Sequence, residues 1–237
     1  MKPVVYGTLL LGLGSLTWRQ CGMYANVETL WRTTLHRNPT SWLALNNLGN
    51  ALAAQGKTQT AMEHYQMALQ LKSDYPEAHN NLGSALMTRG NLPAAIQHFQ
   101  TALELKPNLA DAWYNMGNAL AAQGKLADAI PHYERALQIR PGLAAAHVNL
   151  GSTLSTQGKF GEAIQHYERA LQINPGLPVP HVNLAAALSA QGRLSEAIQH
   201  LQQALELATA QANLALADGI RTRLKAYQSA LPPTQPP

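Results

Sequence analysis

Charge is scarce in this chain. Only 13% of its 237 residues are Asp, Glu, Lys or Arg, about half the usual quarter. Aromatic residues make up 6%, and Cys21 is the one cysteine. A lone thiol closes no internal disulfide and reads as an ordinary buried side chain. There is no C-x-x-C, no H-E-x-x-H, no phosphate loop and no G-x-S-x-G, so the sequence lacks those zinc, nucleotide and hydrolase signatures. No catalytic constellation and no cofactor are expected. The net charge of +4 comes from the two ends. Lys2, Arg19, Arg32 and Arg37 stand against Glu28 at one end, and Arg221, Arg223 and Lys225 against Asp218 at the other. The body between is close to neutral, which excludes the basic stripe of a nucleic-acid binder. Apolar residues reach 46%, too many for a disordered chain.

Long apolar runs are also lacking, with one exception. Val4 to Trp18, VVYGTLLLGLGSLTW, carries no charge. It is about fifteen residues, short of the roughly twenty that span a bilayer, and Gly7, Gly12 and Gly14 weaken it. No A-x-A cleavage pattern follows. Three readings stay open: an uncleaved anchor, a signal segment with a poor site, and the remnant of a longer membrane chain. The expectation is a membrane-associated or exported protein with a single hydrophobic segment, the side of the membrane being undetermined.

What is present is repetition. The sequence aligns with itself every 34 positions from Trp42, Pro76, Ala110, Ala144 and Pro178, without insertion. Gly49, Gly83, Gly117 and Gly151 share a column with Ala185. Tyr65, Phe99, Tyr133 and Tyr167 share one with Leu201. Ala61, Ala95, Ala129, Ala163 and Ala197 form a third, and Ala68, Ala102, Ala136, Ala170 and Ala204 a fourth. So strict a period means stacked units rather than one closed core.

Each unit reads as two helices. In residues 110–143, Trp113, Met116, Gly117 and Leu120 lie at i, i+3, i+4 and i+7, one helical face. Gly124 ends that helix. Leu126, Ala129, Ile130, Tyr133, Ala136 and Leu137 make a second stripe, which Pro141 closes. A glycine inside a helix costs about 1 kcal/mol relative to alanine, so the Gly117 column calls for close approach of the paired helix, with the aromatic column filling the space left. Pro131 predicts a late start or a slight kink in its helix. Residues 26–39 look like the second helix of a degraded repeat. In residues 212–230 the stripe Leu214, Ala217, Ile220, Leu224 and Tyr227 reads as a terminal cap.

These columns resemble the tetratricopeptide repeat, W-x2-L-G-x2-Y, then A-x3-F, then P. The resemblance implies an all-α solenoid of stacked antiparallel helix pairs, a right-handed superhelix whose first helices line a concave groove. The segmentation follows: 1–25, a membrane-anchor or signal-like segment; 26–41, a degenerate half-repeat cap; 42–211, five repeats at 42–75, 76–109, 110–143, 144–177 and 178–211; 212–230, a capping helix; 231–237, a proline-rich tail. Within the family the rows are most similar to repeats of O-GlcNAc transferases and of transmembrane tetratricopeptide O-mannosyltransferase-like proteins. The chain has no glycosyltransferase domain.

The resemblance also implies a site. Asn47, Asn81, Asn115, Asn149 and Asn183 match the asparagine ladder that holds a peptide main chain in those transferase repeats. A carboxamide both donates and accepts, so it can pair with any peptide unit. Repeats about 10 Å apart match about three residues of extended chain at ~3.3 Å each. Asn46, Asn80 and Tyr114, with Asn50, Ser84 and Asn118, are expected to flank the ladder. A lysine and arginine clamp for a carboxy terminus is missing: Asn46, Asn50, Asn81, Asp111 and Asn115 hold the matching positions. The column His64, His98, His132, His166 and His200 is too widely spaced for one ion to join two of its members. His79, His147 and His181, in the tryptophan position, are expected to pack between helices, and no metal site is expected. The function expected is a non-catalytic scaffold binding an extended segment of a protein or peptide partner. The alternatives are the repeat part or accessory of a membrane glycosyltransferase presenting acceptor proteins, and a self-associating homo-oligomer.

Overall fold

The computed structural model describes residues 27–230. Among the described residues it contains twelve helices and no strand, an all-α solenoid built of helix pairs. The chain divides into two compact units, residues 1–107 and 108–237. In the first lie α1 (Val27–Arg37), α2 (Trp42–Ala54), α3 (Thr58–Leu71), α4 (Pro76–Thr88) and α5 (Leu92–Leu105). In the second lie α6 (Ala110–Ala122), α7 (Leu126–Ile139), α8 (Ala144–Thr156), α9 (Phe160–Ile173), α10 (Pro178–Ala190), α11 (Leu194–Ala210) and α12 (Leu214–Ala230).

Local chemistry sets the ends of these helices. Ser41 caps α2 by accepting the Ala44 amide at 3.3 Å, and Asn91 caps α5 by accepting that of Ala94 at 3.3 Å. Pro76 and Pro178 open α4 and α10, where a missing N–H costs nothing. Each first helix stops at a glycine with φ of +76 to +78°. At Gly124 the Lys125 amide donates to the Leu120 carbonyl at 3.0 Å and the Gly124 amide to Ala121 at 2.9 Å, a Schellman closure that needs the left-handed conformation. The end of α11 repeats these bonds, Asn213 to Ala208 at 2.9 Å and Ala212 to Thr209 at 3.0 Å, but with Ala212 at φ 53°. A Cβ there costs about 1–2 kcal/mol. Ala212→Gly is therefore expected to stabilise the α11–α12 corner by about 1 kcal/mol, seen as slower amide exchange in α12; unchanged exchange would refute it.

The small columns do what their periodicity predicts. A Cβ on Gly49 would stand 2.5 Å from the Tyr65 ring, on Gly83 2.6 Å from Phe99, on Gly117 2.6 Å from Tyr133 and on Gly151 2.7 Å from Tyr167. The two alanine columns of the second helices are 0% exposed from Ala61 to Ala204. In the fifth row Ala185 and Leu201, both 0% exposed, take the places of glycine and aromatic ring together.

Two expectations change, and at Pro131 one of two readings is removed. Pro131 lies inside α7, which begins at Leu126, as α5 and α11 begin at Leu92 and Leu194; there is no late start, and α7 continues without the bond that an amide at 131 would give to Ala127. Leu214 is 68% exposed: as the first residue of α12 it turns outward, and Leu216 packs on the core with Leu224 and Tyr227 beside buried Ala217 and Ile220. The membrane assignment is also corrected. Among the described residues no helix is long and apolar enough to cross a bilayer. The run 4–18, itself shorter than a span requires, lies outside the described residues.

Candidate functional site

The asparagine column lies on the first helix of each pair, and its members are half-buried. Within each unit the carboxamides tie one first helix to the one before. Asn81 on α4 donates from Nδ2 to Asn46 Oδ1 on α2 at 2.9 Å. Asn149 on α8 donates to Asn118 Oδ1 at 2.8 Å and to the Tyr114 hydroxyl at 3.1 Å, both on α6. Asn183 on α10 donates to Ser152 Oγ on α8 at 3.2 Å. Each of these amides thus commits at least one N–H within the fold, and Asn149 commits two bonds from Nδ2.

The flanking residues divide into two kinds. Asn46 and Asn80 are buried, 2% and 8% exposed, and lie under the face. Asn46 Nδ2 reaches Asn47 Oδ1, and Asn80 Nδ2 reaches Asn81 Oδ1, each at 3.5 Å, weak contacts at that length. Tyr114 folds back onto its own unit, its ring 6.2 Å from that of Tyr133. Asn50 and Asn118 accept the hydroxyls of Tyr65 at 2.8 Å and Tyr133 at 3.0 Å. Burial pushes the Tyr65 hydroxyl up to about 12 and that of Tyr133 higher still, so both remain protonated donors. Tyr167 gives its hydroxyl to Ser152 Oγ at 3.3 Å. Asn115 is half-buried on α6.

Beside the column the surface dips. In the second unit Asn118, Ala121, Leu126, Tyr133, Asn149, Ser152, Thr153 and Thr156 line a hollow of about 410 Å³. In the first, Ala53, Thr58, Tyr65, Asn81, Ser84, Ala85 and Thr88 with Gly56 line one of about 270 Å³. Seven of these positions coincide after a shift of two periods, from Ala53 and Ala121 to Thr88 and Thr156. A third hollow, about 620 Å³, has Trp31 of α1 in the place of Tyr65, with Asn47, Asn50, Ala51 and Ala54. The same columns therefore build the same concavity in each unit. Its floor is an aromatic ring and its walls are amides and alanines, joined in the first two hollows by serine and threonine hydroxyls. Glu28 beside Trp31 is the one charged side chain in the three linings, and it is held by Arg32 at 2.8 Å and Gln55 at 2.7 Å.

Sequence reasoning named Ser84 but missed Ser152 and the Thr and Ala members of these walls. Their signal was spacing: Asn149, Ser152, Thr153 and Thr156 stand at i, i+3, i+4 and i+7, one helical face.

Models of one family account for nearly all the described chain. Those described as "Tetratricopeptide repeat" match residues 30–63, 108–176 and 154–218, and that described as "TPR repeat" matches 49–88 and 83–124. The chain belongs to the tetratricopeptide repeat family. Solved tetratricopeptide structures align over most of it. MamA is 25% identical, over 70% of this chain and 97% of its own, with a TM-score of 0.62. The pilF protein of Pseudomonas aeruginosa is 20% identical over 83% and 95%, with a TM-score of 0.66. YrrB, described as a TPR protein with an unusual peptide-binding site, is 20% identical over 81% and 97%, with a TM-score of 0.61. The last two speak for the tetratricopeptide fold alone. No curated protein matches the chain. The narrower likeness to O-GlcNAc transferase repeats is not shown by these matches.

Among the described residues, no three His, Cys, Asp or Glu side chains gather where they could hold an ion. Histidines nevertheless meet in pairs inside tetratricopeptide repeats, which reading each column lengthwise did not reveal. His79 and His98 approach to 3.0 Å between Nδ1 atoms, His147 and His166 to 3.0 Å, and His181 and His200 to 3.2 Å.

Proposed function

We propose that this tetratricopeptide protein is a non-catalytic interaction scaffold that holds an extended, largely uncharged segment of a partner protein against the first-helix face. The observation that carries the reading is the recurrence of one hollow, built from the same columns in each unit. A periodic surface suits a periodic ligand, and an extended main chain is the commonest one. One amide N–H of Asn81 and one of Asn183 are engaged within the fold, and Asn149 Nδ2 makes two such bonds, so the ladder offers a peptide its carbonyl oxygens and, at Asn81 and Asn183, a second N–H. Hydroxyls of the Ser84 and Thr88, Ser152 and Thr156 columns stand beside it. Each net hydrogen bond contributes about 0.5–1.5 kcal/mol, so affinity requires several repeats to act together. The glycosyltransferase-accessory alternative rests on sequence resemblance alone.

The test uses substitutions that fill the hollow without cutting an amide tie. Thr156 and Thr88 are exposed, and their hydroxyls bond only to carbonyls one turn back, Ser152 and Ser84. Peptides selected on the whole chain from a displayed random library are expected to bind Thr88→Trp/Thr156→Trp at least tenfold more weakly by fluorescence anisotropy. Equal affinity would place their binding elsewhere.

A further inference from the structure

The histidine pairs have an assignable proton arrangement. His79 Nε2 lies 3.0 Å from the Ser73 carbonyl, and His147 Nε2 3.2 Å from that of Pro141. A carbonyl only accepts, so each Nε2 carries the proton. The facing Nδ1 of the neutral ring is then a bare acceptor, and His98 and His166 donate from Nδ1. Each of these two pairs therefore forms a short relay from second helix to first helix to a carbonyl of the preceding turn. It joins α4 to α5 and α8 to α9; the His181–His200 pair joins α10 to α11 in the same place. The other two rows have Leu45 and Trp113 at the first position, and there the Nδ1 atoms of His64 and His132 are buried with no hydrogen-bond partner. The site is closed to water whether or not a partner is supplied. In three rows of five a second histidine supplies it.

We propose that these three pairs are single-proton clasps, which hold the two helices of their repeat together at neutral pH and loosen them on acidification. The proton count decides the direction. A neutral pair holds two protons, one in the relay bond and one on the carbonyl-bound nitrogen. A third can enter at the outer Nε2 of His98 or His166 and leave the relay bond intact. A fourth has only a facing Nδ1 to occupy. It would set two N–H donors nose to nose, and the bond is lost. Unfolded, both histidines take a proton near the ordinary value of about 6.5, so below that pH the unfolded chain binds more protons than the folded one.

The surroundings support this sign. Burial is the strongest influence and holds His98, His147, His166, His181 and His200 below the ordinary value, and the facing ring adds to it at His98, His147 and His181. Around His79 and His98 the hollow is lined by Gln66, Leu69 and Gln70 of α3 and Leu82, with no charged side chain. At His147 and His166 the Pro141 carbonyl and Glu162 favour protonation and Arg169 opposes it. Glu134 of α7 occupies the column that Glu168 of α9 fills beside the next pair. At His200, Gln203, Glu168 and Glu196 favour protonation and Arg193 opposes it. None of these removes the burial effect. Groups held below their unfolded value stabilise the fold above about pH 6.5 and lose that contribution as pH falls through the folded value.

Imidazole ¹⁵N spectra of the full chain test the arrangement. At pH 8, His98 and His166 are expected as Nδ1–H tautomers, and His79 and His147 as Nε2–H tautomers. On titration each pair should take one proton and hold off the second to at least one pH unit below the first, as a coupled pair does. Paired histidines that titrate singly, all as Nε2–H tautomers, would overturn the proposal. His79→Trp, which copies the natural Trp113 and His132 row, should fold and show a shallower acid dependence. The opening constant of α4–α5 from hydrogen exchange would lose up to a tenfold rise per pH unit, one proton's worth. An unchanged slope in this variant would likewise sink the clasp.

Discussion

Gly117→Ala destabilises the second unit by about 2 kcal/mol, and Tyr133→Leu in the same chain restores most of the loss. The first half follows from the 2.6 Å between the added methyl and the Tyr133 ring. Ordinary contacts begin nearly an ångström further out, and the ring cannot step aside: it is 2% exposed and its hydroxyl is held by Asn118 at 3.0 Å. Overpacking at the upper end of its usual range costs about 3 kcal/mol, and the better helix propensity of alanine returns about 1 kcal/mol. The second half copies the fifth repeat, where alanine and leucine replace glycine and ring at Ala185 and Leu201. Tyr133→Leu alone should cost about 2–3 kcal/mol, because it leaves a void against Gly117. The two costs must then fail to add, by about 3 kcal/mol or more, at the top of the usual range for residues in contact. Amide exchange in α6 and α7 reads each variant. Strict additivity would mean that the glycine and aromatic columns are not one packing device.

That device was legible because both partners sit in columns and change together: glycine with a ring four times, alanine with leucine once. Periodicity likewise exposed the helix pairs and the glycine stops, since each depends on residues close in sequence. Leu214 was misplaced because a period of 3.6 extended to the first residue of α12 ignores the left-handed turn at Ala212, which aims that residue outward. The histidine pairs were missed for a geometric reason. Neighbours down one column are a repeat apart, whereas His79 and His98 meet across two columns, 19 residues apart. The partners of the ladder asparagines were hidden in the same way. Asn81 reaches back 35 residues to Asn46, and Asn183 reaches back 31 to Ser152. Which acceptor is used depends on what the earlier helix offers: Val148 at the far position cannot accept, so Asn183 turns to the hydroxyl.

The same choice of acceptors gives the ladder a structural role that can be separated from binding. Asn81→Ala should destabilise the first unit by about 1–3 kcal/mol, because Asn46 Oδ1, on a residue 2% exposed, loses its donor at 2.9 Å and stays buried without one. Asn46→Val should cost less. Val148 and Val182 fill that column naturally, and Asn81 Nδ2 can turn to Asn50, as Asn149 does to Asn118. Asn46→Val/Asn81→Ala removes both partners of the buried bond, and is expected to be more stable than Asn81→Ala alone. Urea unfolding followed by amide exchange in α2 and α4 gives the order. If the double variant is the least stable of the three, the carboxamides do not satisfy one another. A pairing confirmed by the cycle makes Asn46→Val/Asn81→Ala the instrument for the ligand question: it keeps the helices joined while deleting the Asn81 carbonyl from the hollow beside Ser84 and Thr88. Weaker peptide binding by that variant would then measure recognition alone, free of any change in the fold that presents it.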